Sequence, residues 1–291
     1  MVTLGGNRYG KAEVRVVHVA RSAGPGGSDL IRDWNVSSSL SGDLAGTHLT
    51  GDNSKVLATD TQKNTVYAMA KKLGGIEPEA FALELAAHYT GSQEAISRAR
   101  IAIQEYPWVP VSGTGHSFAR SGQYIRTVTV LDDTELGRSV VGGVGDLIVL
   151  NTTGSQFWGF PRDEYTTLED AYDRMLATVV SARWRFREPD SKDWGTAFPA
   201  ALDAMIGAFA QTESYSLQQT LFAMGSAILA AVPQVCEVRL ALPNKHHFVV
   251  DLSPFGMANE NEVYYAADRP YGLIEGTVLA DDAPVAGIAW S

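Results

Sequence analysis

The chain has 291 residues, of which 45% are hydrophobic and 19% are charged, so it is too apolar for a disordered polypeptide. Lysine and arginine together number 23 and aspartate and glutamate 33, which gives a formal net charge of −10. Nucleic acids and anionic membranes attract proteins through a surplus of basic residues, so this acidic chain is a poor candidate for either partner. At about 150 residues per domain, its length suggests two domains.

Cys236 is the single cysteine, which rules out an internal disulfide and any metal centre built from several cysteines. The N-terminal residues contain no apolar run of signal-peptide length, and no window approaches the roughly 18 consecutive apolar residues of a membrane span. The chain does not end in the peroxisomal signal Ser-Lys-Leu. We therefore expect a soluble, cytoplasmic protein.

The first half of the chain predicts two strands, two helices and two further strands. The strands are predicted at residues 14–19, 29–40, 99–108 and 123–131, with a glycine- and proline-rich turn at residues 24–27. Apolar residues at helical spacing predict a helix that begins after Thr59-Asp60, is capped by Asp60 or Thr61, and ends at Gly74. A second helix is predicted from Pro78 to about residue 91.

The second half of the chain repeats this order loosely. Strands are predicted at residues 146–150, 182–187, 236–242 and 262–266, and helices at residues 198–209 and 217–232. Two passes through strand, strand, helix, helix, strand, strand indicate a duplicated α+β unit with antiparallel hairpins. The stretch between residues 132 and 145 is rich in glycine and charge, and we place the domain boundary there, giving domains 1–138 and 139–291.

General catalytic motifs are absent from the sequence. The nucleotide-binding Gly-x-Gly-x-x-Gly, the phosphate loop, the Gly-x-Ser-x-Gly elbow and His-Glu-x-x-His do not occur. The adjacent His246 and His247 fall on a predicted strand, where neighbouring side chains point to opposite faces and do not easily share a metal ion. We predict no metal site, and these motifs alone indicate only a protein of two similar α+β domains.

Several longer runs of the sequence carry more information. They are Asn7-Arg8-Tyr9-Gly10-Lys11, Asp52-Asn53-Ser54, residues 58–65, residues 151–160, residues 162–168, Asp173-Arg174, Leu242-Pro243-Asn244-Lys245-His246 and residues 270–274. In this order they resemble the urate oxidase (uricase) family, from about residue 7 to residue 280. Asn151 differs from the family pattern, which usually has lysine at this position. The position is not among those that the family uses to contact substrate.

The resemblance implies a tunnelling fold (T-fold) of two tandem domains, each a four-stranded antiparallel sheet backed by two helices. Four subunits then join their sheets into stacked barrels around a tunnel. The implied reaction belongs to purine catabolism: urate is oxidised by O2 and water to 5-hydroxyisourate and H2O2. The resemblance implies that the reaction uses no metal and no organic cofactor.

The resemblance also implies a set of substrate-binding residues. Phe157 stacks on the purine ring, and Arg174 offers two parallel N–H groups to an oxygen and a ring nitrogen. Gln218 presents a donor and an acceptor to the opposite edge of the purine, and Leu217 contributes its backbone N–H. Without the resemblance, Arg174 would be read as a surface ion-pairing residue, Gln218 as a solvated helix residue and Phe157 as part of the core.

Further residues are implied on the opposite side of the substrate. Thr59 and the backbone N–H of Asp60 contact urate from a neighbouring subunit, at a helix start whose free amides favour an anion. Asn244 polarises O2, or the water that follows it. Lys11, Thr59 and His246 form a proton relay, in which a hydroxyl between an amine and an imidazole transfers protons.

Two other functions stay open on the sequence. One is a pterin- or purine-processing T-fold enzyme, but the zinc-dependent members of that group need cysteine and histidine ligands that this chain does not plausibly assemble. The other is a purine-binding T-fold protein without catalysis, against which the presence of Lys11, Thr59 and His246 argues.

Overall fold

The computed structural model describes residues 1–22 and 27–291. Most of the turn predicted at residues 24–27 lies outside the described residues. The elements in chain order are β1 (Val14–Ala20), β2 (Leu30–Gly42), α1 (Ala45–Leu49), α2 (Thr59–Leu73), α3 (Pro78–Ser92), β3 (Ile96–Glu105), β4 (Trp108–Pro110), β5 (Phe118–Arg120), β6 (Ile125–Asp133), β7 (Gly137–Phe157), β8 (Ala171–Phe186), α4 (Trp194–Gln211), α5 (Leu217–Ala231), β9 (Val235–Val249) and β10 (Tyr264–Leu279), with a short 3-10 helix at Ser253–Phe255.

One antiparallel sheet of eight strands organises the molecule, in the order β1-β2-β3-β6-β7-β8-β9-β10. Each half of the chain supplies four of these strands, and α2 and α3 pack on the first four while α4 and α5 pack on the last four. The predicted α+β T-fold class is confirmed. The two four-stranded sheets are joined inside one chain by the ladder between β6 and β7, in which Ile125 faces Gly145 and Asp133 faces Gly137.

Aromatic side chains fix the helices to the sheet. In the first half Trp34 on β2 lies 4.8 Å from Phe81 on α3, measured between ring centroids, and both are buried. In the second half Phe186 on β8 meets Trp194 of α4 edge to face at 4.7 Å. Burial of such large rings is the main source of stability in a core of this kind.

Several element boundaries differ from the predictions for physical reasons. The helix predicted at residues 198–209 begins at Trp194, because Trp194 is buried in the core and Pro199 is accommodated inside the helix instead of at its start. The cap predicted for α2 is wrong: Ala58 precedes the helix and provides no side-chain cap. Asp60 instead lies in the first turn of α2, where its carboxylate accepts from Lys63 and from Asn64 Nδ2.

The division into domains at residues 138 and 139 stays a prediction. In the structure this point lies at the start of β7, and the sheet continues across it. Among the described residues, no helix is long and apolar enough to cross a membrane.

Candidate active site

A cavity of about 560 Å³ lies where the ends of β7, β8 and β9 meet the first turn of α5. Six of the nine residues implied by the resemblance line it, and they are Phe157, Arg174, Leu217, Gln218, Asn244 and His246. The remaining wall comes from residues to which the sequence assigned no site role, although two of them fall in the quoted runs 162–168 and 270–274; they are Leu168, Ala171, Met175, His247, Phe248 and Ile274. Mostly apolar walls with a few polar groups are typical of a small-molecule site.

Strand pairing brings the polar groups of the cavity together. Arg174 on β8 pairs with Ser155 on β7, and Asn244 on β9 pairs with Thr178 on β8. Because strand side chains alternate, Asn244 and His246 project to the same face of β9. This places an amide and an imidazole on one wall of the cavity.

His247 behaves differently from the sequence expectation. Adjacent residues of a strand were expected to separate to opposite faces, yet His247 also contributes to the cavity wall. Its Nδ1 lies 3.0 Å from the carbonyl oxygen of Lys245, so one of its ring nitrogens is occupied within its own strand. His247 is therefore part of the cavity wall, with one ring nitrogen already engaged.

Arg174 is half-buried and has no carboxylate within ion-pair distance among the described residues. Its Nε lies 3.4 Å from Ser155 Oγ and its Nη2 lies 3.5 Å from the carbonyl oxygen of Gln156. The neighbouring Asp173 accepts instead from Thr153 Oγ1. Burial lowers the pKa of Arg174, but a guanidinium remains protonated in proteins. Its unneutralised charge is available to an anion in the cavity.

The Arg174 guanidinium also lies above an aromatic surface. Its Cζ is 5.3 Å from the ring centroid of Phe157, which in turn stacks on Phe160 at 5.0 Å with an interplanar angle of 9°. A cation beside a fixed aromatic face suits a flat anionic ligand, because the ring offers stacking and the guanidinium offers donors.

The start of α5 forms another part of the wall. Leu217 is buried and is the first helical residue, and Gln218 is exposed and follows it. Ser216 caps the helix by accepting from the backbone N–H of Gln219 at 3.2 Å. The first backbone N–H groups of a helix have no partner inside the helix, so they can donate to an anion in the cavity.

His246 is shifted toward its neutral form. Partial burial and then the positive charges of Arg174 and His247 lower its pKa below the ordinary 6.5. Its ring also stacks on Phe248, with centroids 5.8 Å apart. A neutral imidazole can accept a proton at pH 7, which is the property that a proton relay requires.

Lys11, Thr59 and Asp60 lie elsewhere in the chain. The backbone of Lys11 lies against β2. Its backbone N–H donates to Ser38 Oγ at 3.3 Å, and its backbone carbonyl accepts from the Ser38 N–H at 2.9 Å. Thr59 and Asp60 are exposed at the start of α2. The pKa of Asp60 is lowered mainly by its bond to Lys63 and also by the charge of Lys11, so Lys11 and Asp60 are electrostatic neighbours.

These two groups of residues occupy different ends of the sheet. Five strand-to-strand steps separate β2, which holds Lys11, from β9, which carries His246. At about 4.8 Å per step, the separation along the sheet is on the order of 24 Å. One chain therefore does not bring the implied relay residues together. Among the side chains that the structure describes, no group of three or more histidine, cysteine, aspartate or glutamate residues could hold a metal ion.

The sheet order and the paired helices define a tandem T-fold protein, with a cavity between β7, β8, β9 and α5 whose aromatic and cationic walls suit a flat anion. The chain belongs to the uricase family, whose model matches residues 7–131 and 140–275.

Curated relatives and solved structures agree with this assignment. The chain is 46% identical over 290 residues to the uricase of Arthrobacter globiformis, covering 100% of this chain and 94% of that protein. It is 39% identical over 284 residues to the uricase of Dictyostelium discoideum, covering 96% and 98% of the two chains. The crystal structure of the Arthrobacter globiformis uricase matches with a TM-score of 0.93 and 45% identity, covering 98% and 97% of the two chains. A urate oxidase structure from Bacillus sp. TB-90, at 24% identity and a TM-score of 0.80, shares the fold and covers 94% of this chain and 100% of its own.

Proposed function

We propose that this protein oxidises urate with O2 and water to 5-hydroxyisourate and H2O2, using no metal or organic cofactor. The observation that carries the proposal is the unneutralised Arg174 guanidinium in a cavity that also holds Gln218, Asn244 and His246. Membership of the uricase family supports the same reaction. A pterin-processing enzyme and a non-catalytic purine binder are not favoured.

Urate binding uses the complementary edges of the cavity. Urate is a flat anion, and Arg174 supplies two N–H donors to one of its edges while Gln218 supplies a donor and an acceptor to the other. The Leu217 N–H at the start of α5 donates to the same anion. Phe157 stacks on the ring and fixes its plane, an interaction worth about 1–3 kcal/mol by analogy with bases stacked on aromatic residues.

The chemistry takes place above the ring. The electron-rich urate dianion gives one electron to O2, and recombination forms a peroxide at C5. Water then replaces the peroxide, which leaves as H2O2. One urate, one O2 and one H2O thus give one 5-hydroxyisourate and one H2O2. Asn244 polarises O2 and then the attacking water. The protein supplies position, charge stabilisation and proton delivery.

Proton transfer requires a second copy of the chain. Lys11 lies about five strands from His246, and Thr59 and Asp60 begin α2, which packs on β1. We therefore propose that Lys11, Thr59 and the Asp60 N–H come from a neighbouring subunit. Thr59 then stands between the Lys11 amine and the His246 imidazole, and the relay removes a proton from urate and delivers one to peroxide. We propose a homotetramer whose sheets close into barrels. The cytoplasmic location stays a prediction from the sequence.

The test of the proposal measures O2 consumption and the loss of the near-ultraviolet absorbance of urate, using exhaustively chelated protein. Equal consumption of O2 and urate, with equal release of H2O2, is the expected result. Saturable urate binding without turnover would instead identify a purine-binding protein. Loss of activity on chelation, with recovery on adding back one metal, would overturn the cofactor-free reaction.

A further inference from the structure

The loop between α4 and α5 is attached to the end of β7 by its backbone. The N–H of Ser214 donates to the carbonyl of Gly154 at 2.9 Å, and the N–H of Gln156 donates to the carbonyl of Ser214 at 2.7 Å. Ser155 and Ser214 thus form an isolated parallel bridge. Ser214 is the point at which the loop that precedes α5 joins the strand that ends in Phe157.

The side chain of Ser214 makes a second connection, to the start of α5. Its hydroxyl donates to the carbonyl of Ser216 at 3.1 Å and accepts from the Thr220 hydroxyl at 2.8 Å. Ser214 and Thr220 both have 0% exposure, so water does not replace these bonds. A buried hydroxyl that donates and accepts at once holds both partners at defined distances. It thereby fixes the residue that caps α5.

The two connections reach two different walls of the proposed urate site, one on β7 and β8 and one at the start of α5. On the strand side, Ser155 Oγ and the Gln156 carbonyl are the groups nearest to the Arg174 N–H donors, at 3.4 and 3.5 Å. On the helix side, Ser216 is followed directly by Leu217 and Gln218, which line the same cavity. The distance between the two walls therefore depends on the contacts that Ser214 makes.

We propose that Ser214 is a positioning residue for substrate binding, which holds the Leu217 N–H and the Gln218 amide at the correct distance from Arg174. This inference rests on the proposed function. Ser214 does not line the cavity itself, so it acts through the cap of α5. Loss of the Ser214 hydroxyl lets the start of α5 shift relative to β8. The contacts of Arg174 and Gln218 with the two edges of urate then weaken together.

The test compares Ser214→Ala with a matched substitution in the same loop. Thr212→Val also removes a loop hydroxyl, but the Thr212 hydroxyl donates at 2.7 Å to Ala208, within α4 and away from α5. Urate affinity is measured by anaerobic equilibrium dialysis, where no turnover consumes the ligand, and kcat and KM are measured separately in air. Both variants are compared at a temperature at which circular dichroism shows them fully folded.

We expect Ser214→Ala to raise the Kd and KM for urate about tenfold, because both hydrogen bonds of the Ser214 hydroxyl are lost, with kcat at saturating urate near that of the wild type. Thr212→Val should leave the Kd unchanged. Thr220→Val, which removes the donor to Ser214, should weaken binding in the same direction, and Thr220→Ser, which keeps the hydroxyl, should restore it.

A purely structural role predicts a different result, because fewer folded molecules lower kcat and leave the Kd unchanged. An unchanged Kd in Ser214→Ala, or an equal rise in Thr212→Val, would overturn the inference while leaving the proposed function intact. A wild-type protein that neither binds nor oxidises urate would contradict the proposed function itself, so the two failures are distinguishable.

Discussion

The Nδ2 atom of Asn151 donates to the carbonyl oxygen of Phe209 at 3.0 Å, which ties the middle of β7 to the last turn of α4. Asn151 is the residue at which the central sequence block departs from the family. The last carbonyls of a helix have no partner inside the helix, so this side chain satisfies one that would otherwise depend on water. Asn151 thus has a structural role in holding α4 against the sheet.

Asn151→Ala removes this bond and should lower the free energy of unfolding by about 1 kcal/mol, the usual contribution of one hydrogen bond. Urea unfolding followed by fluorescence measures the change. Thr152→Ala is the control, since Thr152 is the next residue of β7 and is exposed. Equal stabilities for the two variants would contradict the role assigned to the Asn151 amide.

Mixed oligomers test whether each site is built from two chains. Arg174→Ala and Lys11→Met each remove one side of the proposed site, so each variant alone should have little activity. In a mixed oligomer, one chain supplies an intact Arg174 side and its neighbour an intact Lys11 side. With random pairing of equal amounts, roughly a quarter of the sites should be complete.

The measurement is urate turnover before and after the two variants are unfolded together and refolded. Variants refolded separately and then mixed provide the control for slow subunit exchange. If co-refolding restores no activity although mixed oligomers are detected by mass spectrometry, then Arg174 and Lys11 of different chains do not share a site.

Substitutions on the two sides of the site should separate binding from turnover. Arg174→Lys keeps the charge and loses the two parallel donors, so it should raise the Kd for urate about tenfold or more. Gln218→Ala should weaken binding in the same way. Lys11→Met and Thr59→Ala should lower kcat more than affinity, because they interrupt proton transfer. Anaerobic dialysis gives the Kd and stopped-flow absorbance gives kcat, and equal losses of affinity and kcat in all four variants would contradict this division.

The lowered pKa of His246 predicts how activity and stability depend on pH. Because partial burial, Arg174 and His247 hold this pKa below 6.5, the imidazole is neutral at pH 7 and accepts protons. Activity should therefore be full near pH 7 and should fall as the pH decreases through the lowered pKa, below pH 6.5. The unfolded chain takes up this proton at a higher pH than the folded one, so His246 also reduces stability as the pH falls below about 6.5.

Two histidine variants check this assignment. His246→Asn should remove the acid limb from the pH profile of kcat, whereas His247→Asn should keep it and move it toward pH 6.5, since one positive neighbour is lost. NMR titration of the imidazole signals gives the pKa directly. A His246 pKa above 6.5 in the free protein would show that the proposed base is charged when it should be neutral.

Local patterns in the sequence predicted the four long helices and the succession of strands and helices along the chain, because apolar periodicity and glycine breaks are local properties. They did not predict the bond between Asn151 and Phe209, whose partners are 58 residues apart, or the part that His247 takes in the cavity wall. The separation of Lys11 from His246 follows from strand order, which no spacing along the chain encodes. The roles assigned to the site residues remain predictions from family resemblance.

A buried ionic cluster offers a further test of what holds the first half of the chain together. Arg126 on β6 donates to Glu79 at 2.7 Å, to Glu77 at 2.9 Å and to Glu105 at 3.3 Å. Its Cζ also lies 4.5 Å from the ring centroid of Phe198 on α4, so the same guanidinium contacts the second half. Burial raises the pKa of Glu79, and the charge of Arg126 opposes that rise.

Arg126→Met should lower the free energy of unfolding by about 3–5 kcal/mol at pH 8, because it leaves the carboxylate of Glu79, 2% exposed, without its cation. The loss should be smaller at pH 5. A carboxyl with a raised pKa binds its proton more readily in the folded state, so stability increases as the pH falls toward that pKa. Arg162→Met is the control, since the side chains of Arg162 and Asp170 are 44% and 37% exposed and lie 3.4 Å apart, and such an exposed pair contributes about 0–1 kcal/mol. Urea unfolding of the two variants at pH 8 and at pH 5 measures the change in the free energy of unfolding in each case. If the two arginines cost the same, or if the Arg126→Met deficit does not shrink at pH 5, then Glu79 is not the uncompensated charge.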